Sequence, residues 1–214
     1  MYNFHISNAR FFIIRHAEAF KNLEKMHGGG TQDLTNDGIE QLLATIEVLK
    51  PVFQDRRICI FHQKEGRSEK TAKIIDQKFR IGTKVSELIY GVGLGVIANL
   101  NEDELKKLYP KVFQILENWK NNGAKLDDYP DVPGREHMTD FASRIKLGLS
   151  NMIHPNTDTI LVGTTSTINM LNHLMITNGE FVHDKYDFIS FPFSGVNGWQ
   201  LSADKPPRKV FSSF

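Results

Sequence analysis

Phe11-Phe12-Ile13-Ile14-Arg15-His16-Ala17-Glu18-Ala19 is the stretch on which the reading of this sequence turns. Four apolar residues run straight into an arginine and a histidine. A short apolar run bounded by polar residues reads as a strand buried on both faces. Open α/β sheets take their ligands at the carboxyl ends of their strands, and this end carries Arg15 and His16. A neutral imidazole is a nucleophile, and a guanidinium grips a phosphate through two parallel hydrogen bonds. The chemistry such a pair suits is phosphoryl transfer through a phosphohistidine. A solvated Arg-His pair at an ordinary strand end fits the same two residues, so the pair alone does not decide.

Two more apolar runs repeat the pattern. Ile58-Cys59-Ile60-Phe61 ends at the polar stretch His62 to Arg67, and Thr159-Ile160-Leu161-Val162-Gly163 ends at Thr164 to Thr167. Between them, apolar residues at helical spacing predict helices over 38–49, capped by Thr35, and over 71–79. Further helices are predicted over 101–121, broken at Pro110, over 141–152 and over 168–176. Val85 to Tyr90, with Glu87, reads as a short extended segment. Residues 188–191 and 198–201 read as a closing pair of strands. Strands alternating with helices predict an α/β fold of three layers, α/β/α, whose mainly parallel sheet has helices on both faces. The three polar tips then share one edge, and their arginines, histidine and hydroxyls suit a phosphate dianion.

The 214 residues suit one domain, 1–214, with a lid or insertion at about 91–137, its loop centred on 122–133. Lys plus Arg is 26 against 25 for Asp plus Glu, a net charge of +1, which argues against nucleic-acid or membrane partners. No apolar run approaches the roughly 18 residues of a membrane span, and the amino terminus has no basic leader. Cytoplasm is the expected compartment. The lone Cys59 reads as a small hydrophobe. Gly28-Gly29-Gly30 predicts a loop that brings backbone N–H groups close to a ligand. Gly91, Gly93 and Gly95 do not link a strand to a helix as a dinucleotide site would. No cofactor and no metal is expected, and oligomeric state is not encoded. Lys106, Lys107, Lys111, Lys120 and Lys125 read either as a solvated helix face or as contacts to a second anionic group.

With these motifs in place, the sequence resembles the histidine phosphatase superfamily, also called phosphoglycerate mutase-like, over roughly residues 10–202. Ile13 to Ala19 resembles its Arg-His-Gly signature, with Ala17 for glycine and Asn22 at the usual spacing. Leu34-Thr35 with Gly38, Arg67 with Thr71-Ala72, Ser86-Glu87, Tyr90-Gly91, Tyr109-Pro110, Pro133-Gly134 and Arg144 follow in order. The resemblance implies that His16 attacks phosphorus, that Arg15 and Arg67 hold the phosphoryl oxygens, and that Glu87 is the general acid. It implies phosphate contacts from Asn22, Gln63, Thr164 and Thr165 to a small phosphorylated substrate. His27 and His62 read as polar loop residues.

The resemblance also breaks in places. Thr164 stands where a second histidine is expected, Gln63-Lys64 replaces Ser-Pro, and Gly134-Arg135-Glu136-His137 replaces Gly-Glu-Ser. Losing one charged donor at a developing anion costs about 2.7–4 kcal/mol, unless Lys64, Arg135 or His137 replaces it. A retuned phosphatase and a degenerate phosphate-binding form both fit this pattern; a mutase fits it less well.

Overall fold

The computed structural model describes residues 8–122, 132–186, 189–202 and 205–213, without the side chains of 119–122 and 185. Strand β1 (Ala9–Arg15) is its axis, and Phe11, Phe12, Ile13 and Ile14 are all fully buried. Successive strand residues face opposite sides. Phe11 and Ile13 therefore enter one core, with residues of α6 (Met138–Met152) and α7 (Thr165–Ile176). Phe12 and Ile14 enter the other, with residues of α2 (Asn36–Leu49) and α3 (Gly66–Phe79). That double burial is the physical content of the α/β/α expectation.

The sheet has six strands in the order β3-β2-β4-β1-β5-β6. These are β2 (Arg57–His62), β3 (Thr83–Val85), β4 (Thr157–Gly163), β5 (Val196–Leu201) and β6 (Arg208–Ser213). The pairings among β1, β2, β3 and β4 are parallel, and β5 pairs antiparallel with both β1 and β6. Arg15 pairs with Gly163, and His62 with Val162, so the tips of β1, β4 and β2 stand side by side. Four-residue helix α1 (Phe20–Leu23) follows β1. Thr35 caps α2, its Oγ1 accepting the Gly38 N–H at 3.0 Å. Gly38 is needed there, because a Cβ would lie 2.6 Å from the Glu18 carbonyl oxygen.

Helices α4 (Glu102–Leu108) and α5 (Pro110–Asn122) carry a small apolar cluster of their own, built on Ile97, Leu105 and Val132. The lid expected over 122–133 falls mostly outside the described residues. No helix among the described residues is long and apolar enough to cross a membrane.

The closing strands differ from expectation. Residues 189–191 form no strand, and Phe188 lies outside the described residues. The antiparallel partner of β5 is instead β6, whose Arg208, Lys209 and two preceding prolines disguise an edge strand as a tail. The loop from 189 to 195 is thereby freed to run past the tip of β1.

An ionic anchor at the opposite end of the sheet is not apparent in the sequence. The fully buried Asp158 of β4 accepts hydrogen bonds from Arg10 Nε (3.0 Å) and Arg56 Nη2 (2.9 Å). The guanidiniums also donate to the carbonyls of Val52 and Asn8. Both arginines reach solvent, at 20% and 34% side-chain exposure, and can rehydrate. Asp158→Ala is therefore expected to cost about 2–3 kcal/mol, below the range for breaking a fully buried pair. Urea denaturation checks this.

Candidate active site

His16 continues from the tip of β1, its backbone N–H donating to Gly163 at 3.0 Å. Its ring is 3% exposed and held at both nitrogens. Nδ1 lies 2.8 Å from the Ala17 carbonyl, and Nε2 lies 3.0 Å from Arg67 Nε. A carbonyl only accepts and a guanidinium only donates. Nδ1 therefore bears the proton and Nε2 presents the lone pair. Burial, then the charge of Arg67, push the imidazole well below its ordinary pKa of 6.5; Arg15 and Lys21 add to this, and the Ala17 bond opposes it. The ring is a neutral base in a cluster of cations.

Arg67 sits in the first turn of α3, 6% exposed, and its Nη1 donates to Gln32 at 2.7 Å. Thr71, one turn on, donates to the Arg67 carbonyl at 2.7 Å and accepts the Ala17 N–H at 3.0 Å. This hydroxyl ties the helix that carries Arg67 to the backbone beside His16. Arg15 donates to the Phe191 carbonyl and stacks 3.8 Å over Phe193. Its Nε is buried with no hydrogen-bond partner among the described residues. Burial, then Arg67, lower its pKa to about 10, so it stays charged at neutral pH.

A cavity of about 630 Å³ opens onto Arg15, His16, Arg67, Thr164 and Thr165. Thr164 and Thr165 open α7, so its free N–H groups and the positive end of its dipole add to the field at this wall. Asn22 also reaches the wall, with its Oδ1 accepting the Ala19 N–H at 3.1 Å.

Two expected site residues stand elsewhere. Gln63 is fully buried and is not part of the cavity wall: its Oε1 accepts the Thr164 N–H at 2.8 Å and its amide donates to Thr167. Its carbonyl and one amide N–H brace the β4–α7 turn, and the side chain does not reach the cavity wall. Glu87 is 66% exposed and bound to Lys64 at 2.5 Å, also away from the wall. In this structure neither Glu87 nor Lys64 reaches the cavity wall. His137 is exposed, and neither it, Arg135, Lys106, Lys107 nor Lys111 lines the cavity; Lys125 and the side chain of Lys120 lie outside the described residues.

Other wall residues escaped the sequence reading. Lys21 is 7% exposed, lines the cavity and donates to the Gly28 carbonyl at 2.8 Å. Burial, then Arg67 and Arg15, lower its pKa to about 8. The glycine loop makes room for it, since a Cβ on Gly30 would lie 2.7 Å from Lys21 Cβ. The loop's N–H groups are not all turned to the cavity, because that of Gly29 donates to Asn99 at 2.9 Å. His27 and Glu65 also line the wall, Glu65 as the residue that precedes α3. Val92, Leu94, Leu116 and Met138 supply apolar surface.

Comparison with known proteins bears on what this arrangement is. Residues 11–181 match the model of the histidine phosphatase superfamily, branch 1. No curated protein matches the chain by sequence. Among solved structures, YhfR of Bacillus stearothermophilus superposes with a TM-score of 0.75 at 18% identity, covering 94% of this chain and 95% of that one. A mycobacterial glucosyl-3-phosphoglycerate phosphatase, solved with VO3, gives 0.72 at 16% identity, over 96% and 99%. TTHB049 of Thermus thermophilus gives 0.64 at 16%, over 96% and 99%. At such identities the likeness speaks to the fold alone.

Proposed function

The chain belongs to the histidine phosphatase superfamily, and from that premise we propose that it hydrolyses a small phosphomonoester through a phosphoryl group carried on Nε2 of His16. The observation that carries this reading is the state of that nitrogen: unprotonated, buried, and 3.0 Å from Arg67 Nε. Substrate phosphate displaces it from Arg67, whose guanidinium turns to the phosphoryl oxygens together with Arg15. Charge stabilisation of this kind is usually the largest catalytic term. The N–H groups at the start of α7 take a further oxygen. The apolar surface of Val92, Leu94, Leu116 and Met138 suits a substrate whose alcohol has carbon to bury.

Thr164 offers this site a hydroxyl without charge. Lys21 supplies the third cation that a second histidine would have given. Its ammonium is present below pH 8 and lost above it, so kcat/KM falls as pH rises through about 8. A bound phosphate dianion favours the charged amine, so the matching fall in kcat lies at higher pH. Lys21→Met is expected to lower kcat/KM about 10- to 100-fold, the worth of one charge-assisted hydrogen bond, and to abolish the alkaline limb. Steady-state kinetics from pH 5 to 10 check both.

The deciding experiment is rapid quench into base during turnover of p-nitrophenyl phosphate, because a phosphohistidine survives base and decays in acid. Phosphate recovered on the peptide containing His16 is the expected result. Absence of both turnover and labelled peptide overturns the reading. The loss of a charged donor at Thr164 favours one alternative, a degenerate form that only binds phosphate. It gains if inorganic phosphate raises the melting temperature of a protein that turns nothing over.

A further inference from the structure

The leaving alcohol needs a proton, and the acid expected from the sequence is out of place. Glu87 lies exposed beside Lys64, away from the cavity wall. Among the described residues that line the cavity, Glu65 is the one carboxylate. One of its oxygens faces the Gly91 N–H at a long 3.4 Å, and the other is buried with no hydrogen-bond partner among the described residues. A buried carboxyl oxygen without a partner is costly, and a ligand hydroxyl or water in the cavity relieves that cost.

Its surroundings place it at the reacting end. Glu65 immediately precedes α3, two residues before Arg67. It lies within electrostatic reach of both Lys21 and Arg67. The point where a Gly91 Cβ would stand is 3.8 Å from Glu65 Oε1, 3.3 Å from Thr164 Oγ1 and 3.5 Å from Ser166 Oγ. Gly91 thus leaves a notch in which the carboxylate approaches the tip of β4 and the start of α7.

Resting on the phosphatase reading above, we propose that Glu65 is the catalytic proton donor of this enzyme, in the role expected of Glu87. In the first step the Nε2 lone pair of His16 forms a bond to phosphorus. The P–O ester bond breaks with its electron pair going to oxygen, which takes the Glu65 carboxyl proton and leaves as the alcohol. In the second step the Glu65 carboxylate takes a proton from water as that water's oxygen bonds to phosphorus. The P–N bond breaks with its pair returning to Nε2, giving inorganic phosphate and restoring both side chains.

An alkyl ester needs this proton, whereas 2,4-dinitrophenyl phosphate leaves without it. Glu65→Gln is therefore expected to lower kcat about 10²- to 10⁴-fold on an alkyl phosphomonoester, and less than about tenfold in the first turnover of the dinitrophenyl ester. Glu87→Gln and His27→Asn keep the ratio of the two rates within about twofold of wild type. Formate added to Glu65→Ala is expected to restore alkyl ester turnover. It serves as the check if the glutamine variant does not fold. Equal losses of Glu65→Gln on both esters without formate rescue overturn the assignment, as does a leaving-group-selective loss in Glu87→Gln or His27→Asn. These failures differ from failure of the phosphatase reading, in which wild type shows no His16-dependent hydrolysis of either ester.

Discussion

His16→Asn is expected to lose about 10⁴-fold or more in kcat on p-nitrophenyl phosphate, the scale seen when a covalent nucleophile is removed. Asparagine keeps a polar side chain in the same position but has no basic nitrogen to bond to phosphorus. The cations proposed to bind phosphate stay: Arg15, Lys21 and Arg67 belong to different elements and do not depend on the imidazole for their fold. Inorganic phosphate should therefore bind the variant within about tenfold of wild type by calorimetry, its binding separated from its chemistry. The variant should be no less stable at acid pH. In the folded wild type the imidazole sits well below 6.5, so the unfolded chain takes up more protons there and stability falls as pH drops through the ordinary histidine range. The asparagine variant lacks that loss. A variant that retained wild-type turnover would mean that water attacks phosphorus directly or that another protein supplies the activity.

How far the site could be read in advance depended on what kind of signal each residue leaves. Phe11 to Ile14 left a strong one, because a strand between two helical layers must be apolar at every position. The three polar tips were legible for the same reason: each follows a run that has to stay dry. Helix starts were read late, at Thr71 and Ile168 in place of Gly66 and Thr165, because the first turns are polar. Residues of those turns line the cavity, so the apolar periodicity fails where the cavity begins. Glu65 and Lys21 left no signal. A charged residue in a polar stretch reads as solvated, and only the packing of the glycine loop against Lys21 and the notch at Gly91 show otherwise. Glu87 sat at a recognisable spacing, yet spacing fixes only the backbone. Its side chain found Lys64, a residue that stands where the resemblance leads one to expect proline.

Arg67→Met should cost about 10²- to 10³-fold in kcat, the range for removing one preorganised donor from a developing anion, with a pH profile that shifts as well. Arg67 has two duties here, and the variant separates them. Its Nε holds Nε2 of His16 at 3.0 Å, and its charge is the second-largest cause of the depressed imidazole pKa, after burial. Without that charge the imidazole binds protons more readily, so an acid limb enters the kcat/KM profile at higher pH than in wild type. Arg67 also lowers the pKa of Lys21, so the alkaline limb moves up in the same variant. Both limbs moving to higher pH, toward ordinary histidine and lysine values, is a signature that loss of folding does not produce. Arg67→Lys should restore the position of the limbs but little of the rate. An ammonium supplies the charge without the fork that reaches both the imidazole and Gln32 in the free protein and that the proposed step turns to the phosphoryl oxygens. Unmoved limbs in Arg67→Met would place the cation outside the field of His16, and the geometry of the whole pocket would then need a different explanation.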